Sequence, residues 1–377
     1  MVHNSYLEID LKTISSNVEK IRKGIGENVD IIAVVKGNAY GMGIKEVAAH
    51  LDTDCGIQTF GVATPTEGID LRSVGIKKEV LVMGGVPYHN IAAMVEYDLQ
   101  SAVYDIKYLE LLNEEAKKAG KTAQVHIKIE TGLNRVGVLC GKQLDELCTC
   151  LKGLSNVQVV GIFTHFYQSE VKDKTATHEQ FKKFKAALAQ AKGHGFEFKY
   201  VHTSNSNATT WLFDDELTHV RPGALLYGVD ENYDDNDKLK NSFGVSPVWN
   251  WKCYVTYAKT VPPGETVGYS GAYKVTKPTD VATISIGYAD GYARSLGASG
   301  KGVMIVNGKK VPVIGICMDQ MFLDVTGVDT KVGDIVTILG TDGDASLTAL
   351  DFQAQMGQSY LAILSLISGR VARVYKK

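Results

Sequence analysis

In the stretch "IIAVVKGNAYGMG" (31–43) an apolar run meets Lys36 and gives way to glycines, Asn38 and Tyr40, with no acidic residue in the loop to balance the charge. A partly desolvated lysine amine holds its proton less tightly and becomes a nucleophile toward aldehydes. Further polar residues follow apolar runs in the same way: Arg135 in "KIETGLNRVG", His165 in "IFTHF", Asn205 and Ser206 in "HTSNSNA", and Arg221 in "VRPGALLYG". Two guanidinium groups and a run of loop amides can hold a phosphate and other oxyanions. An aldehyde that also carries a phosphate is pyridoxal 5′-phosphate. Any one of these residues alone could cap a strand and face water, but together they suggest one site.

Such convergence needs elements that deliver each residue to a common place. Apolar, β-branched runs recur near residues 30, 60, 80, 100, 125, 160, 200 and 220. Between them lie stretches such as "IKYLELLNEEAKKAG" and "HEQFKKFKAALAQAKGHG", with apolar residues three and four apart and a closing glycine, which read as helices. Eight strands alternating with helices match an α/β fold of the closed (β/α)8, TIM-like kind, whose functional groups sit where strands end. An open doubly wound sheet is the competing arrangement, but no G-x-G-x-x-G follows the first strand. After a polar opening helix this barrel is expected over residues 1–235. Beyond the acidic connection "DENYDDNDKLKNS", residues 236–377 read as a smaller, mainly β domain with an Asn307-Gly308 hairpin, ending in a helix through "SLTALDFQAQMG".

The 377-residue chain is long enough for two cores. Forty basic against forty-two acidic residues, with no block of like charge, give no pull toward nucleic acid or anionic lipid. No apolar window is long enough for a membrane segment. Six scattered cysteines, of which only Cys148 and Cys150 are close, suggest reduced thiols in a cytoplasmic protein rather than a zinc site.

The lysine loop resembles that of the alanine racemase family, usually AVVKANAYGHG. The resemblance continues through "ETGLNRVG", "GIFTHF", "NSNA", "VRPGALLYG", "VGYSGAY", "IGYADGY" and "GICMDQ", nearly the whole chain. It implies that Lys36 anchors pyridoxal phosphate covalently and serves as one catalytic base. Tyr269 in "VGYSGAY" would be the second base, reaching the opposite face of the substrate from the partner subunit. Racemisation needs both, because a proton taken from one face of Cα must be returned to the other, and a phenol must hold its proton less tightly than usual to take part at neutral pH. The resemblance further places Arg221 at the pyridine nitrogen, His165 beside that arginine, and Arg135 at the cofactor's phenolic oxygen and the substrate carboxylate. Tyr40, Ser206 and the backbone of Gly223 and Ala224 would hold the phosphate, with Asn205 beside them. Met318 would touch the substrate across the dimer, and Tyr288 and Arg294 would line its entrance. Lys128 falls where some members carry a carbamylated lysine, an ordinary ion pair being the other possibility. A homodimer with composite sites, supplying D-alanine for peptidoglycan, is the family's implication.

Several positions depart from the family. Gly37 and Met42 replace an alanine and a histidine, and the loop before Met318 is one residue short, without its usual arginine. Near the C-terminus the expected phosphate-binding tyrosine falls on Leu361, with Tyr360 one residue early. A missing pocket wall separates amino acids by modest terms, about 1–3 kcal/mol per methylene, so serine or a larger amino acid is an alternative substrate. Basic amino-acid decarboxylases share the two-domain plan but need a cysteine-bearing substrate loop that is not found, and a non-catalytic cofactor-binding barrel would lack the β domain.

Overall fold

The computed structural model describes residues 3–230, 232, 241–299, 301–356 and 359–377. It divides into a unit of Thr13–Pro247 and a unit of Met1–Lys12 with Val248–Lys377. The expected boundary at 235/236 therefore differs from the observed one at both ends. The chain opens not on a helix but on strand β1 (Ser5–Asp10), whose Ser5, Leu7 and Ile9 alternate inward, and only then enters the helix Leu11–Ile25. β1 belongs to the second unit because its hydrogen-bonding partners lie there.

The first unit carries eight parallel strands: β2 (Asp30–Val34), β3 (Thr59–Val62), β4 (Glu79–Val82), β5 (Gln100–Val103), β6 (Ala123–Lys128), β7 (Val157–Phe163), β8 (Tyr200–His202) and β9 (His219–Val220). They run in the order β8-β7-β6-β5-β4-β3-β2-β9. The gap between β8 and β9 is bridged by Thr218 N–H to Val201 O (2.9 Å) and Arg221 N–H to Ser204 O (2.9 Å), leaving the barrel nearly closed. All eight strands fall where the apolar runs placed them. Helix Ile106–Lys118 starts where the Asp105 side chain accepts the Lys107 N–H, and it buries Leu109, Leu112 and Ala116 at helical spacing. With Phe184 and Leu188 of helix Thr175–Gly193, these share a buried apolar cluster with Val125 and Ile127 of β6. The barrel strands also bury polar side chains, among them Gln100, Ser101, His126, His202 and His219, where branched apolar residues are the rule.

The second unit adds β10 (Trp249–Val261), β11 (Thr266–Val267), β12 (Tyr273–Lys274), β13 (Thr279–Ile284), β14 (Val303–Val306), β15 (Lys309–Ile316), β16 (Met321–Asp324), β17 (Ile335–Asp342), β18 (Ala345–Leu347) and β19 (Ala372–Lys376). Nine of its strands form a largely antiparallel sheet in the order β18-β17-β14-β15-β16-β13-β10-β1-β19. Asn307 and Gly308 both have positive φ (48° and 72°), as the tight β14–β15 hairpin demands. The expected helix appears at Ala349–Met356, but the chain continues into helix Tyr360–Leu366 and β19, which lies parallel to β1. No helix among the described residues is long and apolar enough to cross a membrane.

Candidate active site

Lys36 follows β2 and opens an unusual turn. Gly37, Asn38, Ala39 and Tyr40 have φ of 63°, 55°, 53° and 55°, a left-handed helical turn closed by Ala39 N–H to Val35 O (2.8 Å) and Gly41 N–H to Gly37 O (2.9 Å). L-residues avoid this region at a cost of about 1–2 kcal/mol each, so the turn needs outside support. Glu67 gives it, its carboxylate accepting the N–H groups of Gly37 (2.6 Å) and Ala63 (2.8 Å). Asn38 Oδ1 accepts the Ile44 N–H at 2.8 Å and fixes the other end. Strain held this way at a strand end marks a functional position.

Lys36, Tyr40, Arg135, His165, Asn205, Ser206 and Arg221 line one cavity of about 230 Å³, together with Lys128, Phe163 and the Met83-Gly84-Gly85 segment. Gly223 lies against it, and Ala224 follows in the chain. Ser206 Oγ accepts from the N–H groups of Gly223 (2.9 Å) and Leu225 (3.3 Å), and a Cβ on Gly223 would overlap the Tyr40 hydroxyl. The Ser206 hydroxyl proton is not used in those bonds. Asn205 does structural work instead of offering its oxygen to a ligand: Oδ1 accepts from the Ala208 N–H (3.1 Å) and the Ser169 hydroxyl (2.7 Å). Arg135 is carried by a loop folded back on β6 through Glu130 N–H to Val138 O and Val138 N–H to Lys128 O, both 2.9 Å.

Arg221 is 3 % exposed and donates to His202 Nδ1 (2.9 Å), His165 Nδ1 (3.3 Å) and the carbonyls of Thr164 (2.8 Å) and Thr203 (2.9 Å). No carboxylate pairs with it among the described residues. Burial and nearby Arg135 bring it down to about 9, still charged at neutral pH. Lys36 is lowered by burial and by the charges of Arg135 and Arg221, which readies its amine. Burial and Arg221 also hold His165 well below its usual range, leaving it neutral. Lys128 is 3 % exposed, with Nζ 4.4 Å from the centre of the Phe163 ring. It has no carboxylate partner among the described residues, which removes the ordinary ion pair expected as one possibility.

Among the described residues the lining thus holds four basic side chains and no acidic one. That donor set suits an anionic ligand with an aldehyde for Lys36 and a phosphate for the Tyr40, Ser206 and Gly223 corner, so pyridoxal phosphate fits the residues present. Among the described residues no cluster of His, Cys, Asp and Glu could hold a metal ion. Phe163, Met83 and Glu67 were not singled out from sequence. Gly84-Gly85 after an apolar run was the available signal, since a Cβ on Gly84 would strike the Ala63 carbonyl.

In the second unit, Tyr269 sits in the turn joining β11 to β12, where Val267 pairs with Tyr273, and is 78 % exposed. Met318 is 57 % exposed; its carbonyl accepts the Ala289 N–H at 2.9 Å, and Cys317 O accepts that of Tyr288 at 3.2 Å. Arg294 lies 5.8 Å from the Tyr288 ring centre. Leu361 is half-buried, and the Tyr360 side chain lies outside those described.

Residues 9–231 match the family described as "Alanine racemase, N-terminal domain", and residues 248–375 match "Alanine racemase, C-terminal domain". Alanine racemase of Methanococcus maripaludis is 36 % identical over 375 residues, covering 99 % of each chain. That of Clostridium perfringens is 38 % identical over 378 residues, covering 99 % of this chain and 95 % of the other. The crystal structure of alanine racemase from Bacillus anthracis with bound L-Ala-P superposes with a TM-score of 0.93 at 30 % identity, covering 100 % of this chain and 96 % of that one.

Proposed function

The chain belongs to the alanine racemase family of isomerases, and from that membership we propose that it interconverts L- and D-alanine with pyridoxal 5′-phosphate held in the Lys36 cavity. The observation that carries this reading is the lining of four basic and no acidic side chains around one desolvated lysine. Lys36 would anchor the cofactor, Tyr40, Ser206 and the Gly223 and Ala224 backbone would hold its phosphate, and Arg221 would serve its ring nitrogen. When bound, the cofactor supplies an electron sink for the charge left as the Cα proton departs.

Arg221, a guanidinium rather than a carboxylate, keeps its own proton and would leave the bound cofactor a weaker sink, which would favour return of the proton over competing reactions. Arg135 attracts the substrate carboxylate. Lys36 moves the proton on one face of Cα and Tyr269, contributed by a second copy of the chain, moves it on the other. Met318 of that copy meets the substrate, while Tyr288 and Arg294 shape the entrance. The exposure of Tyr269 and Met318 is in keeping with a homodimer. Six unpaired thiols are in keeping with a cytoplasmic enzyme that supplies D-alanine for peptidoglycan. The relatives give no support to serine or a larger amino acid as the preferred substrate.

Chiral chromatography after incubating the cofactor-loaded protein with each L-amino acid tests this reading. D-alanine should dominate. Carbon dioxide release from lysine or ornithine without D-alanine would overturn it. Sedimentation should show an active dimer, and an active monomer would remove the assignment of Tyr269 to a second copy.

A further inference from the structure

Behind Arg221 lies a series of hydrogen bonds, buried at His202 and His126 and part-buried at Glu79 and Gln124, whose members beyond Arg221 do not line the cavity. His202 Nδ1 meets Arg221 Nη1 at 2.9 Å, and His202 Nε2 meets His126 Nδ1 at 3.0 Å. His126 Nε2 meets Gln100 Oε1 at 2.9 Å, and Gln100 Nε2 meets Glu79 Oε2 at 2.6 Å and Gln124 Oε1 at 2.7 Å. His126 and His202 are both 0 % exposed. They belong to β6 and β8, which β7 separates, so their bond passes through the barrel interior. Gly161 of β7 makes the passage possible: a Cβ there would overlap the His126 ring.

Every donor and acceptor in this series is fixed. A guanidinium only donates, so His202 Nδ1 must accept and its proton must sit on Nε2. His126 Nδ1 then accepts, and His126 Nε2–H donates to Gln100 Oε1. The amide nitrogen of Gln100 is left for two acceptors, one of them a carboxylate, which also forbids the flipped amide. The assignment read from Arg221 at one end agrees with that read from Glu79 at the other.

We propose that Glu79, Gln100 and His126 are positioning residues that lock His202 in its Nε2–H tautomer, making it a permanent acceptor that orients Arg221 and cannot take a proton from it. Burial first, and then surrounding positive charge, keeps both imidazoles neutral. For His126 those charges are any protonated His219, Arg221 and Lys199; for His202 they are Arg221, any protonated His126 or His219, and Lys128. The relay's importance for turnover rests on the reading of Arg221 as the cavity's fixed cation, whereas the tautomers can be read without any substrate.

Two-bond 1H–15N spectra of the full-length, 15N-histidine-labelled protein test it. His126 and His202 should both carry the proton on Nε2 alone, unchanged between pH 5.5 and 8.5. A proton on Nδ1 of either ring, or a charged ring at pH 7, overturns the proposal whatever the enzyme's substrate. Gln100→Leu leaves the His126 Nε2–H without an acceptor; that proton should exchange with water faster, and kcat of the cofactor-loaded enzyme should fall about tenfold, the worth of one buried hydrogen bond, with KM little changed. The exchanged pair Glu79→Gln with Gln100→Glu keeps an acceptor facing His126 and should restore both the slow exchange and kcat. It also serves if Gln100→Leu does not fold. Gln100→Leu with unaltered exchange and turnover, or an exchanged pair with a proton on His126 Nδ1, overturns the relay.

Discussion

Lys36 and Lys128 are both amines in a cavity crowded with positive charge, yet they meet different fates. Lys36 lines the cavity where an aldehyde can reach it, so Lys36→Ala should lower racemisation by at least about a thousandfold and abolish the visible absorbance of the lysine-bound cofactor. Loss of neither would remove it from the site. Lys128 is held well below its usual range by burial, Arg221 and Arg135 and has no carboxylate partner among the described residues, so its amine gives up its proton more readily than an ordinary lysine. Carbon dioxide can add to such an amine: an N–C bond forms, a proton leaves, and the carbamate anion offsets the local positive charge. Protein equilibrated with 13C-bicarbonate should show a carbamate resonance that Lys128→Ala lacks. Its absence from the unaltered protein would leave Lys128 a plain buried amine. Gly37 bears on the same loop through its backbone: at φ 63° with open space around it, Gly37→Ala should fold and retain kcat, but lose about 1 kcal/mol in urea denaturation. An unchanged midpoint would mean that the left-handed turn is not strained.

Among the elements, the eight barrel strands were legible because each is a compact apolar run ended by glycine or a polar residue. The helices between them were legible from their spacing. β1 was not, since six residues of alternating "SYLEID" are a weak signal and the partners that make it a strand lie far away, at Trp249–Cys253 and Ala372–Lys376. The left-handed turn after Lys36 also escaped sequence reading. Gly37, Gly41 and Gly43 hint at positive φ, but nothing in Asn38-Ala39-Tyr40 announces it, and the Glu67 carboxylate that supports the turn is thirty residues away. Likewise "AQVHIKIETG" reads as an ordinary strand, and only the assembled barrel brings His126 against His202. Cavity-lining residues at strand ends were therefore readable, while the side chains that meet within the barrel were not. The Tyr40–Gly223 contact gives this scale its prediction: Gly223→Ala forces the Tyr40 ring aside, so it should weaken pyridoxal phosphate binding roughly tenfold with little change in urea midpoint of the cofactor-free protein. Unchanged cofactor affinity would detach that corner from the phosphate.

For the molecule as a whole, the barrel's buried imidazoles set a limit on acid tolerance. Burial lowers His126 to about 3 and His219 to about 4, and it drives His202 down as well. In the unfolded chain each titrates near the ordinary value of about 6.5. Below that pH the unfolded state takes up protons that the folded barrel refuses, so stability falls as pH falls and levels off only near the folded values. His126 and His219 together cost roughly 2–3 kcal/mol on going from neutrality to pH 5.5, each contributing up to about 1.4 kcal/mol per pH unit, and His202 acts in the same direction. That is a large share of the 5–15 kcal/mol typical of a folded domain. His165, lowered by the same causes, acts in the same direction. Urea midpoints should therefore be highest above pH 6.5 and drop steeply between pH 6.5 and 5. His219→Asn, which removes an imidazole that makes none of the hydrogen bonds of the Arg221 relay, should make that drop shallower. A midpoint that holds level from pH 7 to pH 5 would mean that these histidines take up protons without unfolding the barrel, and that its interior is better hydrated than its packing implies.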